Sequence, residues 1–453
     1  MRLKTTCFLI LAISFLMNTR AFSLQYTFQP RASASEEYTS NVYLTKDNKK
    51  DDYITITSLG FTAAALGKTG GLEVSYDPAY SFYRDYDENN GWSHNARLSA
   101  WSDLSRRTRF ELSDSFLRTQ YPLGEEDILV LRDNNVVQEG DSTIRQGRRT
   151  YYSNRASSRL SYQFGENDSV YAGFTYGLLR NNDTQDYEDN DFYSPTLGLN
   201  YWFGPKFGFE SNATYTKADF SQDEDFVGEG TSDFDNYTGS IRLIARTKTR
   251  FSIFTQYNHI YRNFEGNNDN DYMVYAPSAG FIYAVEKGLN LRLGAGYFYA
   301  DIDHEDSEQG VFGNGQIDKT WESRRGFITL AALTGLDQNN FGAQNIGLER
   351  YAGVQGSAMY RLARTISWDV NGSYRYSDAI GNADQGSNDD TGKHVNRFRA
   401  GSGFTIEPLQ WMAIRLSYTF NKVTSDNEAD EYDEHRGLIQ LTLTPSQPYR
   451  SID

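Results

Sequence analysis

Residues 151–179, YYSNRASSRLSYQFGENDSVYAGFTYGLL, change character at every second position. Tyr152, Asn154, Ala156, Ser158, Leu160, Tyr162 and Phe164 share one parity, and Arg155, Ser157, Arg159, Ser161 and Gln163 share the other. After a polar turn at 165–169 the pattern restarts. Val170, Ala172, Phe174, Tyr176 and Leu178 then take the apolar side, opposite Gly173, Thr175 and Gly177. Successive side chains of a strand point to opposite faces, so the stretch reads as an antiparallel hairpin with one apolar and one polar face. Aromatic residues lie near both ends of the apolar face. That is the pattern of a hairpin crossing a bilayer between two aromatic girdles, with its polar face on a lumen.

The composition fits this hairpin repeated along the chain. Tyr (33) and Phe (28) are abundant, while hydrophobic residues are only 38% of the 453 positions. A soluble enzyme would carry a core rich in Leu, Ile and Val, whereas a barrel needs only a thin apolar outer band. The alternative is a soluble all-β sandwich or solenoid. The single cysteine, Cys7, lies near the start, so residues 24–453 offer no disulfide, thiolate metal site or Cys nucleophile. The formal net charge of −16 argues against a nucleic-acid partner.

Residues 1–23 read as a cleaved secretory signal, with Arg2 and Lys4 ahead of the apolar run 8–17. No later stretch is long and apolar enough for a spanning helix. Export without such a helix, together with lipid-type strands, points to the outer membrane of a Gram-negative-type envelope.

From residue 24 onward, short interruptions alternate with longer acidic ones. The short set includes 67–71, 104–107, 165–169, 204–206 and 407–408; the long set includes 45–52, 119–147, 181–191, 222–236 and 379–392. Short periplasmic turns and long extracellular loops are the topology of an outer-membrane barrel. The expected fold is therefore a single all-β, up-and-down, antiparallel transmembrane barrel over 24–453, of about 20 strands (roughly 18–22). The region 301–348 is the hardest to divide. The long segment 119–147, with its apolar run Ile128-Leu129-Val130-Leu131, could fold into the lumen.

Parity assigns faces to several strands. Arg97 and Arg109 fall opposite Leu98 and Phe110; Arg155 and Arg159 fall opposite Ala156 and Leu160. Arg242 and Arg246 oppose Ile241 and Leu243, and Arg292 opposes Leu291 and Leu293. Arg397, Arg399 and Arg415 oppose Phe398, Ala400 and Leu416. A charge on the lipid face near the midplane costs roughly 2–4 kcal/mol, so these ten arginines are expected in the lumen. One reading is a passage for anions, because a guanidinium pairs bidentately with carboxylate, phosphate or sulfate. The other is a static lattice in which the arginines pair with Asp103, Glu111, Glu73 and Asp369.

Several signals fall short of chemistry. Gly67-Lys68-Thr69 lacks the upstream glycine spacing and the helix of a phosphate loop. The histidines are His94, His259, His304, His394 and His435, and none shows a paired-ligand spacing. The run 301–306 is acidic but lacks EF-hand spacing. Asp303-His304 at a loop edge, or His94, would be the candidates for a barrel hydrolase. No cofactor or metal is expected.

The two ends of the barrel region carry a resemblance. The stretches 34–44 (ASEEYTSNVYL), 52–55 (DYIT), 342–350 (GAQNIGLER) and 436–450 (RGLIQLTLTPSQPYR) resemble the putative β-barrel porin 2 family. That resemblance implies a bacterial outer-membrane barrel, often associated with exopolysaccharide systems, with no catalytic residues to carry over. Together with the inward arginines it suggests export of an acidic exopolysaccharide, with outer-membrane lipid and lipopolysaccharide around the barrel and periplasmic polysaccharide-export components as partners. The alternatives are a general small-solute porin, a structural sheath around an electron-transfer cytochrome, and an outer-membrane hydrolase. One departure from usual outer-membrane practice is that the sequence runs past Leu443 to Asp453, with Tyr449 the only late aromatic.

Overall fold

The structure is a computed structural model. It describes residues 24–120, 137–140, 150–182, 189–221, 233–265, 271–286, 288–303, 306–321, 325–339, 347–380, 394–426, 428 and 431–452. The signal at 1–23, His304, and most of 119–147 lie outside these residues.

Each alternating stretch forms a strand. The first strands are β1 (Gln25–Thr39), β2 (Asp52–Leu66), β3 (Gly70–Tyr83), β4 (Gly91–Asp103), β5 (Thr108–Thr119) and the short β6 (Val137–Gly140). Next come β7 (Tyr151–Gln163), β8 (Ser169–Asn181), β9 (Asp189–Phe203), β10 (Phe207–Ser221), β11 (Phe234–Lys248) and β12 (Phe251–Phe264). They are followed by β13 (Tyr272–Glu286), β14 (Leu289–Ile302), β15 (Glu308–Thr320), β16 (Gly326–Asn339) and β17 (Gly347–Ala363). The last are β18 (Ile366–Ile380), β19 (His394–Leu409), β20 (Met412–Ser425), β21 (Tyr432–Leu443) and the short β22 (Tyr449–Ile452).

Setting β6 and β22 aside, twenty strands pair antiparallel, each with its sequence neighbours, and β21 pairs with β1 to close the barrel. Closure pairs the first and last strands of the sheet, which is what lets strands cross a bilayer. The hairpin at 151–179 is β7–β8, and the region 301–348 holds an ordinary β15–β16 hairpin turning at Trp321.

The sequence beyond Leu443 completes the closing strand. β22 pairs with Gln25–Phe28 of β1 below the β21 contact, and Gln29 Nε2 donates to the Pro445 carbonyl across the break (3.2 Å). Both ends of the described barrel therefore lie at the end that carries the short turns. One of those turns uses Gly204 at φ +75°, a conformation that favours glycine.

The outer face is apolar and exposed: Leu197, Leu243 and Ile439 are all more than half accessible. Rings gather near both rims, as in the Tyr38–Tyr53 and Tyr215–Tyr237 pairs at the loop end and Tyr201–Phe203 at the turn end. These are the two interfacial girdles. Four histidines join them. His94, His259, His394 and His435 share the outward parity, and each hydrogen-bonds a tyrosine hydroxyl through Nδ1 at 2.7–3.2 Å.

The interior is not uniformly open. Toward the loop end, inward residues of β12–β15 are buried in one apolar cluster that includes Ile260, Val274, Phe298 and Ile302. Leu336 and Leu348, at outward parity on β16 and β17, belong to the same cluster. They reach it because β15 and β16 pair only from Gly313↔Thr334 to Thr320↔Phe327. Beyond Thr334 the tip of the β16–β17 hairpin leaves the wall and packs inside, and β6 adds to it in parallel along Leu336–Asn339. The first loop also folds in, with Val42 packed on Ile54 and Tyr83. Among the described residues the interior is therefore packed at several places toward the loop end, and the accessible inner surface lies toward the turns.

Candidate functional site

Ladder partners share a face, so the registers carry the inward parity around the whole barrel. All ten arginines singled out from the sequence fall on the inward side by this count. Their surroundings divide them.

Three are held by carboxylates. Arg109 Nε donates to Glu111 (3.0 Å), with Asp103 at 3.7 Å. Arg242 pairs with Glu210 (3.1 Å) and also donates to Gln256 (2.8 Å). Arg415 grips both oxygens of Asp369, at 3.1 and 3.0 Å, two strands away across Gly403. Arg397 is buried toward the loop end and donates to Ser377 (3.3 Å), so it is not on an open surface. The remaining six, Arg97, Arg155, Arg159, Arg246, Arg292 and Arg399, have no carboxylate partner among the described residues. Arg97, Arg155, Arg159 and Arg246 are also exposed.

Sequence reasoning missed other inward arginines, among them Arg31, Arg262, Arg375 and Arg436. Arg31 pairs with Asp77, and Arg436 pairs with Glu37 (3.2 Å). Arg375 is buried against Asp337 (2.7 Å) and Glu349, with the Tyr351 ring 4.5 Å from its guanidinium carbon. Arg262 is wholly buried over the Phe234 ring (4.0 Å). The same alternation that marked the other ten would have flagged them, since Tyr374-Arg375-Tyr376 and Tyr261-Arg262-Asn263 repeat it.

The lumen thus has two sides. From β16 through β21 to β3, Arg31, Arg375, Arg415 and Arg436 are matched by acids. From β7 to β11 the only inward carboxylate among the described strand residues is Glu210, already paired with Arg242.

One construction recurs between β3 and β13, most densely on the second side. An inward aromatic ring lies over the glycine facing it on a neighbouring strand, and an arginine lies on the ring. Trp101 covers Gly71 under Arg109 (4.6 Å), and Tyr171 covers Gly198 under Arg159 (3.7 Å). Trp202 covers Gly208 under Arg246 (3.7 Å), and Phe192 covers Gly177 beside Arg155 (5.4 Å). Phe254 covers Gly280 beside Arg242 (5.5 Å). A Cβ at Gly71 or Gly208 would come within 2.8 and 2.9 Å of the indole, so only glycine lets the ring lie flat. Each stack contributes about 0.5–1 kcal/mol where exposed, and it holds a flexible side chain in one pose.

The comparisons with known proteins fit this architecture. Residues 25–138, spanning β1 to β5 and part of β6, match the family model described as Putative beta-barrel porin 2. The chain is a porin-like outer-membrane β-barrel. The siderophore receptor PirA from Pseudomonas aeruginosa is similar in structure, with a TM-score of 0.51 and 9% identity over 94% of this chain and 81% of that one. The ferric-catecholate import receptor Fiu from E. coli K12 gives 0.50 and 9%, covering 94% and 82%. The outer membrane protein opdK from Pseudomonas aeruginosa aligns at 0.41 and 10%, covering 92% and 98%. At these identities PirA and Fiu establish the barrel fold alone. No curated protein matches the chain.

Of the hydrolase candidates, His304 lies outside the described residues. His94 stacks on Tyr76 on the outer face of this porin-like barrel, away from the lumen. Among the described residues, no three of His, Cys, Asp and Glu are placed to hold a metal ion.

Proposed function

We propose that the barrel is a passive outer-membrane conduit for anionic solutes, and that its cargo in the cell is an acidic exopolysaccharide. The supporting observation is the set of exposed inward arginines, Arg97, Arg155, Arg159 and Arg246, with no carboxylate partner among the described residues. A guanidinium without a protein carboxylate offers its fork of donors to a passing anion, where a paired one is already satisfied. The polymeric form of the cargo draws on the resemblance to a family associated with exopolysaccharide systems. On this reading the partners are periplasmic polysaccharide-export components, and the lipid around the barrel includes lipopolysaccharide.

Proteoliposome swelling tests the proposal. Glucuronate is expected to enter faster than glucose, which is close to it in size. Equal rates would make the barrel a general small-solute pore, and faster glucose entry would contradict the anionic reading.

A further inference from the structure

The registers of β7–β11 align the inward side chains into rows. One row reads Ser157, Thr175, Ser194, Thr216 and Asn236, one residue from each strand, of which Thr216 and Asn236 are buried. The next, toward the turns, reads Arg159, Gly173, Thr196, Thr214 and Thr238. Within these rows, hydroxyls join across strands. Ser157 lies 3.1 Å from Thr175, Ser194 lies 2.7 Å from Thr216, and Thr196 lies 3.0 Å from Thr214. The row above starts at Arg155, a row below ends at Arg242, and Arg246 lies just beyond the last β10–β11 pair. The wall is therefore a band of hydroxyls bordered by arginines, with Glu210 the single inward acid among its described strand residues.

We infer that this face of β7–β11 is a binding subsite for an acidic saccharide chain of the uronic-acid class. The inference deepens the conduit reading and rests on it for the direction of use, though not for binding itself. Each hydroxyl can donate and accept, which matches the hydroxyls of a sugar. Arg155, Arg159 and Arg246, held on Phe192, Tyr171 and Trp202, present guanidinium edges suited to carboxylates. Strands lie roughly 4.8 Å apart, close to the advance of one pyranose unit, so a chain crossing the strands obliquely meets one half-buried hydroxyl per strand, Ser157, Thr175, Ser194 or Thr196, Thr214 and Thr238. On the opposite side of the lumen Arg31, Arg375, Arg415 and Arg436 are already paired with acids.

Calorimetric titration of the purified full-length barrel tests the subsite, with the hexamer of galacturonic acid as probe and maltohexaose as neutral control. The hexamer is expected to bind at least tenfold more tightly than the galacturonate monomer, and maltohexaose not measurably. The variant Arg155→Gln/Arg159→Gln/Arg246→Gln is expected to weaken hexamer binding at least tenfold, and Lys217→Gln on the outer face to leave it unchanged. Should the triple variant fail to fold, Arg159→Gln at its exposed position carries the same test with a smaller shift. Equal binding of hexamer and monomer, or undiminished binding by the arginine variants, would overturn the inference. A barrel that binds the hexamer but passes no ions keeps the subsite and loses the conduit; one that passes anions without binding the hexamer does the reverse.

Discussion

The guanidinium of Arg246 lies on the indole of Trp202, 3.7 Å from the ring centre, and the indole lies on Gly208 of the adjacent strand. Arg246 stands two strands away from Trp202, so the pose depends on the glycine between them. Gly208→Val is expected to push the indole off the wall into water. The check is the emission difference between a protein with Trp202 and the matching Trp202→Phe variant. That difference should move to the red when both proteins also carry Gly208→Val. An unchanged difference spectrum would mean the glycine is not what seats the ring.

The loop-end interior makes a different demand. Arg375, Asp337 and Glu349 are all buried, and removing the cation that bonds both carboxylates would leave them in a packed environment. Breaking a buried ion cluster in this way typically costs about 3–5 kcal/mol. Arg375→Met is expected to lower the unfolding free energy by that order, read from urea unfolding in lipid vesicles. A loss of under about 1 kcal/mol would show that this half of the lumen is wetter than the packing implies.

At the outer rim, Lys46 bridges Glu428 (3.0 Å) and Glu431 (2.6 Å), joining the first loop to the last. The hydrogen bond to Lys46 holds the Glu431 carboxyl below its ordinary value, and the hydrogen bond to Glu431 raises Lys46. A depressed carboxylate contributes fully above its unfolded pKa and loses the contribution as pH falls through its folded one. The loop contact is therefore expected at neutral pH and lost in acid. Proteolytic nicking within 40–51 should rise as pH drops below about 4 in wild type. Glu431→Gln should nick readily at neutral pH, and a nicking rate independent of pH in wild type would count against the contact.

The strand count and the alternation of turns and loops could be read from the sequence, as could the shared parity of the arginines along each strand. These are local properties: a period of two, a turn residue, a neighbour of opposite character. The division of those arginines could not be read. Arg415 finds Asp369 and Arg31 finds Asp77 two strands away, and which acid falls opposite which arginine depends on register rather than on adjacency. The ring-on-glycine stacks need the same information, since Tyr171 and Gly198 meet only through the β8–β9 ladder. The packed loop end was hidden for another reason. Leu336 and Leu348 have outward parity and read as lipid-facing, and they are buried because β16 leaves β15 after Thr334. Parity predicts a face only while a strand stays in the wall.

The central claim is that the inner wall of β7–β11 gives the barrel its preference for anions. The most direct measurement is the reversal potential of the protein in a planar bilayer under a KCl gradient, for wild type and for Arg155→Gln/Arg159→Gln/Arg246→Gln. Wild type is predicted to conduct with chloride favoured over potassium, and the variant to lose most of that preference while still conducting. Cation preference in wild type, a selectivity the variant leaves unchanged, or a protein that passes no ions would contradict the account.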